Sequence, residues 1–268
     1  KMELAGIKPD VTLLDKLTKE MAAQIAALEI LAVEQAGESF NLKSTKQLGV
    51  ILFEKLGLPV IKKTKTGYST DVSVLEQLRN EHPLVRTVLE HRKLTKLHST
   101  YLEGLRPLIN KTTGRIHTHF QQLVTVTGRL SSTDPNLQNI PTRTELGKQI
   151  REIFVPGEGY DYLLSCDYSQ VELRVLAHIA QDELLLESFL HGQDVHARTA
   201  AEVFGVPLAE VTPLQRSHAK AVNFGIVYGI SAFSLAQDIG VFQSEAKAYM
   251  DSYFAKYHGV RAYMTRVV

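Results

Sequence analysis

Residues 216–229 read RSHAKAVNFGIVYG, and this stretch places two cations and then two aromatic residues at every fourth position. The four residues are Arg216, Lys220, Phe224 and Tyr228. Thr212 suits a helix cap and Pro213 suits a first turn, so the pattern predicts a helix that runs to about Tyr228 before Gly229. Steps of four residues drift by only about 40° around a helix, so the four side chains share one slanted face about 18 Å long.

The order of charges and rings on this face matches the layout of a nucleoside triphosphate, which has an anionic tail and an aromatic base. Arginine offers a planar fork of donors to phosphate oxygens and lysine a point charge. Phenylalanine offers a ring face for stacking. The same pattern also fits an ordinary helix whose aromatic residues pack in the core and whose cations face water. Spacing alone leaves both interpretations open.

A second stretch, DYSQVELR at 167–174, follows the apolar segment YDYLLSCDY at 160–168. The apolar segment predicts a short strand with Asp167 at its end. A carboxylate at that point offers the oxygen ligands that Mg²⁺ prefers. A single aspartate after a strand is also common as a turn or cap residue, so a structural role stays open.

The composition is that of a globular chain with room for two subdomains. The 268 residues are 44% hydrophobic and 22% charged, and the formal net charge is +1. Affinity for polyanions must therefore come from local patches. The single cysteine, Cys166, excludes an intrachain disulfide, and no apolar run is long enough to span a bilayer. These features predict a cytoplasmic protein.

Hydrophobic periodicity predicts helices at both ends of the chain and strands between them. The predicted helices are one from Asp10 to Gly37, one over about Ser44–Leu56, those within 72–106 with a new segment at Pro83, and most of the chain after Gln170. Residues 115–128, RIHTHFQQLVTVTG, favour strands, whereas 60–71 and 130–141 favour loops. This order predicts an α+β fold, with helical arms around a small antiparallel sheet, rather than alternating βαβ units.

Taken together, these stretches resemble the family A DNA polymerases. DYSQVELR resembles their motif A, and R-x3-K-x3-F-x3-YG resembles their motif B. Three further segments resemble the family in the expected order: KLHSTY at 96–101, TVTGRLSSTDPNLQNIP at 125–141 and GQDVHARTA at 192–200. The resemblance covers nearly the whole chain and is greatest for the bacterial members.

The resemblance implies a right-hand polymerase fold, with helical thumb and fingers around a small antiparallel palm sheet. The implied domains are an N-terminal helix at 1–36, the thumb at 37–110, part of the palm at 111–181 and the fingers at 182–268. The implied activity is template-directed 5′–3′ DNA synthesis in replication and repair, by nucleotidyl transfer with two Mg²⁺ ions. Primer-template DNA and deoxynucleoside triphosphates are the implied partners of a monomeric, nucleoid-associated bacterial enzyme with no membrane contact.

The resemblance also implies roles for the residues of the nucleotide site. The Asp167 carboxylate and the Tyr168 carbonyl are expected to hold metal. Gln170, His196, Arg216 and Lys220 are expected at the triphosphate, and Lys220 is a second catalytic candidate because it can donate a proton to pyrophosphate. Phe224 is expected to stack near the sugar and base and to discriminate against nucleotides that lack the 3′-hydroxyl. Tyr228 is expected to close the base-pair pocket, and Glu172 to crowd the 2′ position and exclude ribonucleotides.

The implied DNA contacts fall into three groups. Arg129 is expected in the minor groove at the primer terminus, where acceptors common to all correct pairs test geometry without reading sequence. Arg92 and Lys96, four residues apart on a helix, are expected to bind the DNA backbone. The other implied contacts are Thr125, Asn136, Gln138 and Asn139 in the palm segment, and Lys62, Lys63 and Lys65 in a basic loop that a purely solvated role also explains.

The chain departs from the family pattern in one respect. The His-Asp-Glu of motif C does not occur in residues 1–268, and the nearest string, QDE at 181–183, stands just after motif A. We therefore expect an incomplete fragment, cut at both ends and without proofreading or 5′-nuclease domains, which has little or no polymerase activity in isolation. The alternative is a non-catalytic fragment that binds DNA or nucleotide. A phage-type RNA polymerase is disfavoured by Glu172.

Overall fold

The computed structural model describes residues 1–65, 67–142 and 144–267. They form two compact units, Lys1–Leu164 and Ser165–Val268. Both units are mainly helical, and the strands are short antiparallel pairs. The predicted combination of helices with small antiparallel sheets is confirmed. Within the described residues, no helix combines the length and the hydropathy needed to cross a bilayer.

The elements are numbered in chain order. The helices are α1 Met2–Ala5, α2 Val11–Ala36, α3 Thr45–Gly49, α4 Val72–Gln77, α5 Pro83–Leu97, α6 Glu145–Glu152, α7 Val171–Ala180, α8 Glu183–Leu190, α9 Val195–Phe204, α10 Pro213–Val227, α11 Ala232–Ile239, α12 Gln243–Lys256 and α13 His258–Val267. The strands are β1 Lys8–Pro9, β2 Lys63–Thr64, β3 Gly67–Tyr68, β4 His119–Gln121, β5 Ser131–Thr133 and β6 Phe154–Val155. Single π-helical turns span Val50–Lys55 and His98–Glu103, and 3₁₀ turns span Arg106–Leu108 and Leu208–Glu210.

The first unit is built on the long helix α2, which packs along α5. Asp10 caps α2 by accepting a hydrogen bond from the Leu13 backbone nitrogen at 3.0 Å, and Gly37 ends it with a φ of +72°. Both boundaries were predicted, because an Asx cap and a left-handed glycine are the commonest ways to start and stop a helix. The fully buried side chains of Leu14, Leu102 and Ile116 lie in the core under this helix.

The strands of the first unit pair in three separate ribbons. Strand β4 pairs with β5 with Phe120 opposite Ser132, β1 pairs with β6, and β2 pairs with β3. The predicted strands within 115–128 are thus confined to β4, and both predicted loops contribute short strands. The β2–β3 ribbon lies in the basic stretch that was predicted as a loop, so that prediction is wrong at those four residues.

The predicted strand at 160–168 is wrong. The structure describes these residues as irregular backbone, with Tyr162 at 86% and Leu164 at 88% exposure. A strand is stable only when another strand satisfies its hydrogen bonds, and none of the described strands pairs with this segment. The apolar composition of this segment was therefore not sufficient to predict its secondary structure.

The second unit is a helical cluster in which α9 packs against α10 and α12. Its core includes the fully buried Leu173, Val195, Val222 and Tyr253. This core holds the motif-bearing helices α7, α9 and α10 against one another, and it fixes which of their side chains can meet.

Candidate functional site

Helix α10 carries the repeated cations and aromatic residues, and its start is firmly set. The Thr212 hydroxyl accepts from the Gln215 backbone nitrogen at 3.2 Å, and the Gln215 side chain accepts from the Thr212 backbone nitrogen at 2.9 Å. This reciprocal capping box satisfies two otherwise unpaired donors. Pro213 occupies the first turn and Gly229 follows the helix with a φ of +69°. The predicted helix is therefore confirmed to within one residue.

The stripe on α10 lies away from the core of its unit. Ala219, Val222 and Ile226 are the buried side of this helix. Arg216 and Lys220 are exposed, as expected for cations that face water or an anionic ligand. Phe224 is half-buried and Tyr228 is 59% exposed, so neither aromatic residue belongs to the fully buried core.

Asp194 links the beginning of α9 to the cationic end of the stripe. Its Oδ1 accepts hydrogen bonds from the backbone nitrogens of His196 at 2.9 Å and Ala197 at 3.1 Å, and its Oδ2 accepts from Arg216 Nε at 2.8 Å. Partial burial alone would raise the pKa of the Asp194 carboxyl, but the hydrogen bond and charge of Arg216 and the two backbone donors bring it below its usual value. Because the pair uses Nε, the two terminal nitrogens of the Arg216 guanidinium keep their donors for a phosphate.

His196 lies on α9 beside the middle of the stripe and is 3% exposed. Asn223 donates from Nδ2 to His196 Nδ1 at 3.1 Å, and the imidazole lies 5.7 Å from the Phe224 ring. Burial lowers the pKa of His196, and the charges of Arg216 and Lys220 lower it further against the opposing effect of Asp194. The structure therefore brings together the predicted residues His196, Arg216 and Phe224, and the lowered pKa of the imidazole favours its neutral form.

Glu172 and Tyr228 meet at the other end of the stripe. The Tyr228 hydroxyl donates to Glu172 Oε1 at 3.0 Å, which joins the first turn of α7 to the end of α10. Gln170, which stands immediately before α7, adopts a left-handed backbone with a φ of +54°. Two residues predicted to sense the sugar and the base pair are thus in direct contact.

Asp167 and Tyr168 lie in the exposed irregular segment before α7. Among the described residues, no three His, Cys, Asp or Glu side chains are grouped so that they could hold a metal ion. The donors available here are one carboxylate and one backbone carbonyl, both oxygen. This set fits Mg²⁺ bound together with substrate phosphates and water, since Mg²⁺ is usually held by one or two carboxylates plus phosphate oxygens.

The predicted DNA-backbone residues of the first unit cluster around Thr70. Arg92 donates to the Thr70 carbonyl and, at 3.1 Å, to its hydroxyl, which fastens α5 to the chain just beyond the β2–β3 ribbon. Burial lowers the pKa of the Arg92 guanidinium, with partial opposition from Asp71. Lys96, one turn further along α5, is exposed, and both residues line a cavity of about 370 Å³ together with Lys43.

The lysines of the β2–β3 ribbon come just before this link along the chain. Lys62 and Lys65 are exposed, and the Lys63 ammonium lies 5.9 Å from the centre of the Tyr68 ring. The Lys62 carbonyl accepts from the Ser69 backbone nitrogen at 3.0 Å. The basic ribbon and Arg92 were predicted as separate DNA contacts. The structure connects them, because Lys62 is hydrogen-bonded to Ser69 and Arg92 is hydrogen-bonded to the next residue, Thr70.

The remaining predicted DNA contacts lie in the segment 125–139. The Thr125 hydroxyl donates to the Arg129 carbonyl and closes a tight turn with an exposed arginine at its end. Asn136 Oδ1 accepts from the Ser132 hydroxyl at 3.2 Å and from the Gln138 backbone nitrogen at 3.0 Å. The Asn139 carbonyl accepts from the Tyr101 hydroxyl. These contacts order the backbone while the side chains of Gln138 and Asn139 remain exposed.

Two residues of the site were missed at the level of sequence. Asp194 stands within GQDVHARTA just before a helix, a position that indicates a cap and gives no sign of its contact with Arg216. Asn223 lies between members of the stripe, and nothing in the sequence shows that it is completely buried beside His196.

Comparison with known proteins gives a consistent result over almost the entire chain. Residues 11–268 match the family described as DNA polymerase family A. The chain is 53% identical over 98% of its length to DNA polymerase I of Bacillus subtilis, of which it covers 30%, and 54% identical over its whole length to DNA polymerase I of Caldicellulosiruptor bescii, of which it covers 31%. The chain thus spans about 30% of the length of the curated relatives it matches.

A solved structure is similar as well. The POL domain of Pol1 from M. smegmatis, in complex with DNA primer-template and dNTP, is 46% identical, with a TM-score of 0.89. The match covers 98% of this chain and 46% of that one. At this level of identity the likeness extends to sequence as well as fold.

Proposed function

The chain belongs to DNA polymerase family A, and we propose that it supplies the nucleotide-binding part of a DNA-directed DNA polymerase, a nucleotidyltransferase that extends a primer on a DNA template. The observation that carries the proposal is the ordered stripe on α10. Its cations are organised by Asp194, and its aromatic end is joined to Glu172. DNA and dNTP are the ligands named for the M. smegmatis structure, which supports the same ligand classes here.

We assign the regions of the chain to the parts of a right-hand polymerase. Residues 1–36 lead into the domain, 37–110 form the thumb, 111–181 contribute to the palm and 182–268 form the fingers. The cluster of Arg92, Lys96 and the β2–β3 lysines then follows the DNA backbone in the thumb, and the segment that carries Arg129 contacts the duplex near the primer end. Such contacts give strong dependence on salt and little dependence on sequence. We infer from this activity a monomer that acts in replication and repair at the nucleoid of the bacterial cytoplasm.

Each residue of the nucleotide site then has a stated task. Arg216, Lys220, His196 and Gln170 bind the triphosphate, and Lys220 can protonate the leaving pyrophosphate. Phe224 stacks beside the sugar and base. Glu172, held by Tyr228, occupies the space that a 2′-hydroxyl would need.

Mg²⁺ is the metal that the donors fit. The Asp167 carboxylate and the Tyr168 carbonyl would hold it, with two ions in the complete active site. The ions would neutralise phosphate charge and activate the primer 3′-hydroxyl. The exposure of both donors leaves them accessible to an ion that arrives with the nucleotide.

A second candidate function is binding without catalysis by residues 1–268 alone. It is suggested by the donors at this point of the chain, which are one carboxylate from Asp167 and one backbone carbonyl from Tyr168, whereas a two-ion site is usually built on further oxygen ligands. Under this candidate the chain binds dNTP and DNA, and catalysis requires a further carboxylate from elsewhere.

Two assays separate these candidates. The first measures dNTP binding and primer extension by the purified 268-residue chain. Binding without extension supports the second candidate for the isolated chain, whereas extension that is lost in Asp167→Ala refutes it. If the chain binds neither dNTP nor DNA, both candidates fail.

The second assay tests the polymerase assignment itself. In a chimera, this chain replaces the matching segment of the Bacillus subtilis relative, to which it is 53% identical. We expect template-dependent extension that Asp167→Ala abolishes and Arg216→Ala strongly impairs. A folded chimera that does not extend primers, or one whose extension survives Asp167→Ala, would show that the assignment is wrong.

A further inference from the structure

A buried chain of polar side chains leads from His196 into the core of the second unit. Asn223, Thr199 and Tyr257 are all 0% exposed, and His196 is 3% exposed. The Asn223 amide nitrogen lies 3.1 Å from His196 Nδ1 and 3.0 Å from Thr199 Oγ1, and Thr199 Oγ1 lies 3.0 Å from Tyr257 Oη. Buried polar groups are costly unless paired, so a chain of this kind fixes the orientation of each member.

The direction of the hydrogen bond between Asn223 and His196 has a chemical consequence. An amide nitrogen can only donate, so His196 Nδ1 must accept. A neutral imidazole carries a single proton, which must then reside on Nε2. The Thr199 hydroxyl lies 3.0 Å from the Asn223 amide nitrogen and 3.3 Å from its carbonyl oxygen, so it can accept from the one or donate to the other, while the second amide hydrogen is directed at His196.

The surroundings of the ring favour the neutral form. Asp194, Arg216 and Lys220 are the charged groups that act on it, and the two cations oppose its protonation. Tyr257 reaches the ring only through Thr199 and Asn223, and burial raises the pKa of Tyr257 to about 12, so that its hydroxyl keeps its proton at any working pH. Among the described residues nothing is hydrogen-bonded to His196 Nε2, which leaves that nitrogen available to a ligand.

We propose that Asn223 is a positioning residue that fixes His196 as the Nε2-protonated tautomer, so that a neutral imidazole beside Arg216 donates a hydrogen bond to a phosphate oxygen of the nucleotide. The inference rests on the proposed function for the identity of the ligand. It deepens that function by identifying Asn223, which does not itself touch the nucleotide, as the residue that sets the tautomer of His196. Neutral donation has a specific advantage here, because a third cation next to Arg216 and Lys220 would be costly before the nucleotide arrives.

Asn223→Asp is the decisive variant, because it keeps the shape of the side chain and replaces the donor with an acceptor. The carboxylate requires a proton on His196 Nδ1, so the neutral ring can no longer donate from Nε2, whereas the imidazolium still can. The variant is therefore expected to bind nucleotide with an affinity that falls as the pH rises from about 6 to about 8, becoming about ten-fold weaker than wild type at the upper end. The wild-type chain should show no such loss. Tyr257→Phe is the matched control, since it removes a hydroxyl from the same buried chain three contacts away from the ring.

Two measurements on the full chain test this. Nitrogen-15 NMR of histidine-labelled protein reports which ring nitrogen of His196 carries the proton, with the resonance identified by its loss in His196→Gln. Calorimetric titration with dTTP and Mg²⁺ gives the pH profile of affinity. Protonation on Nε2 in wild type and Tyr257→Phe, protonation on Nδ1 in Asn223→Asp and the predicted profile together support the proposal.

Other outcomes overturn it in distinguishable ways. Protonation of Nδ1 in the wild-type chain refutes the tautomer assignment. The expected tautomers combined with equal dTTP affinity in wild type and Asn223→Asp at every pH refute the positioning role. A wild-type chain that does not bind dTTP overturns the proposed function and the ligand assigned to His196, while the tautomer result still decides what Asn223 does to the ring.

Discussion

Asp194 and Arg216 form an ion pair at 2.8 Å in which the carboxylate serves two helices at once. One oxygen caps α9, and the other holds the guanidinium that begins the stripe on α10. The same residue therefore positions the backbone that carries His196 and the cation proposed to bind phosphate. Its two roles can be separated by substitution.

Asp194→Ser keeps a capping oxygen and removes the ion pair, whereas Asp194→Ala removes both. We expect Asp194→Ala to lower the free energy of unfolding by about 1 kcal/mol and Asp194→Ser by less than about 0.5 kcal/mol, because serine is a good N-cap. Both should weaken dNTP binding measurably, by about two-fold to about five-fold, since the pair is partly exposed and such pairs contribute at most about 1 kcal/mol. Urea unfolding and calorimetric titration measure the two effects. Unchanged dNTP affinity in Asp194→Ser would mean that the pair does not position Arg216.

Stability should rise with pH through the titration of His196. Burial depresses the pKa of His196 in the folded state below its unfolded value of about 6.5, so the unfolded chain binds this proton more readily. Unfolding free energy should therefore fall as the pH is lowered from about 7 through the window between these two pKa values. His196→Gln should flatten the slope in this window, and the exposed His178→Gln should leave it unchanged. A wild-type slope that persists in His196→Gln would assign the dependence to another group.

Removal of the Tyr228 hydroxyl should relax selection against ribonucleotides. Tyr228→Phe deletes the hydrogen bond to Glu172 and leaves the ring in place, so the carboxylate is less well held near the 2′ position. A net hydrogen bond of about 1 kcal/mol corresponds to about a five-fold rise in the ratio of kcat/KM for ribonucleotides to that for deoxynucleotides. Single-nucleotide incorporation by the chimera measures this ratio. If the ratio is unchanged, the position of Glu172 does not depend on Tyr228.

Lys96 should contribute to DNA binding through charge alone. It is exposed on α5, whereas Arg92 is already hydrogen-bonded to Thr70. Lys96→Gln should reduce the slope of log affinity against log salt by about 0.9, the value for one phosphate contact, without changing sequence preference. Fluorescence anisotropy with two unrelated duplexes measures both quantities. Lys247→Gln, which removes an exposed lysine in the second unit, is the control and should leave the slope unchanged.

The sequence by itself determined most of the helical framework and the family. The caps at Asp10 and Thr212 and the glycine stops at Gly37 and Gly229 depend on chemistry within a few residues, so they could be predicted correctly. The stripe on α10 followed from helical period, and the family followed from the resemblance of several motifs in the expected order, which the comparisons confirmed.

Only the tertiary structure decided which of these residues meet. The contacts of Asp194 with Arg216, of Asn223 with His196 and of Glu172 with Tyr228 join residues 22, 27 and 56 positions apart, and no local rule specifies them. The strand predicted at 160–168 was wrong for the same reason, because whether a strand forms depends on a pairing partner elsewhere in the chain as well as on its own composition. Local propensity sets where helices begin and end, whereas packing of α7, α9 and α10 around a common core sets the geometry and charge of the site.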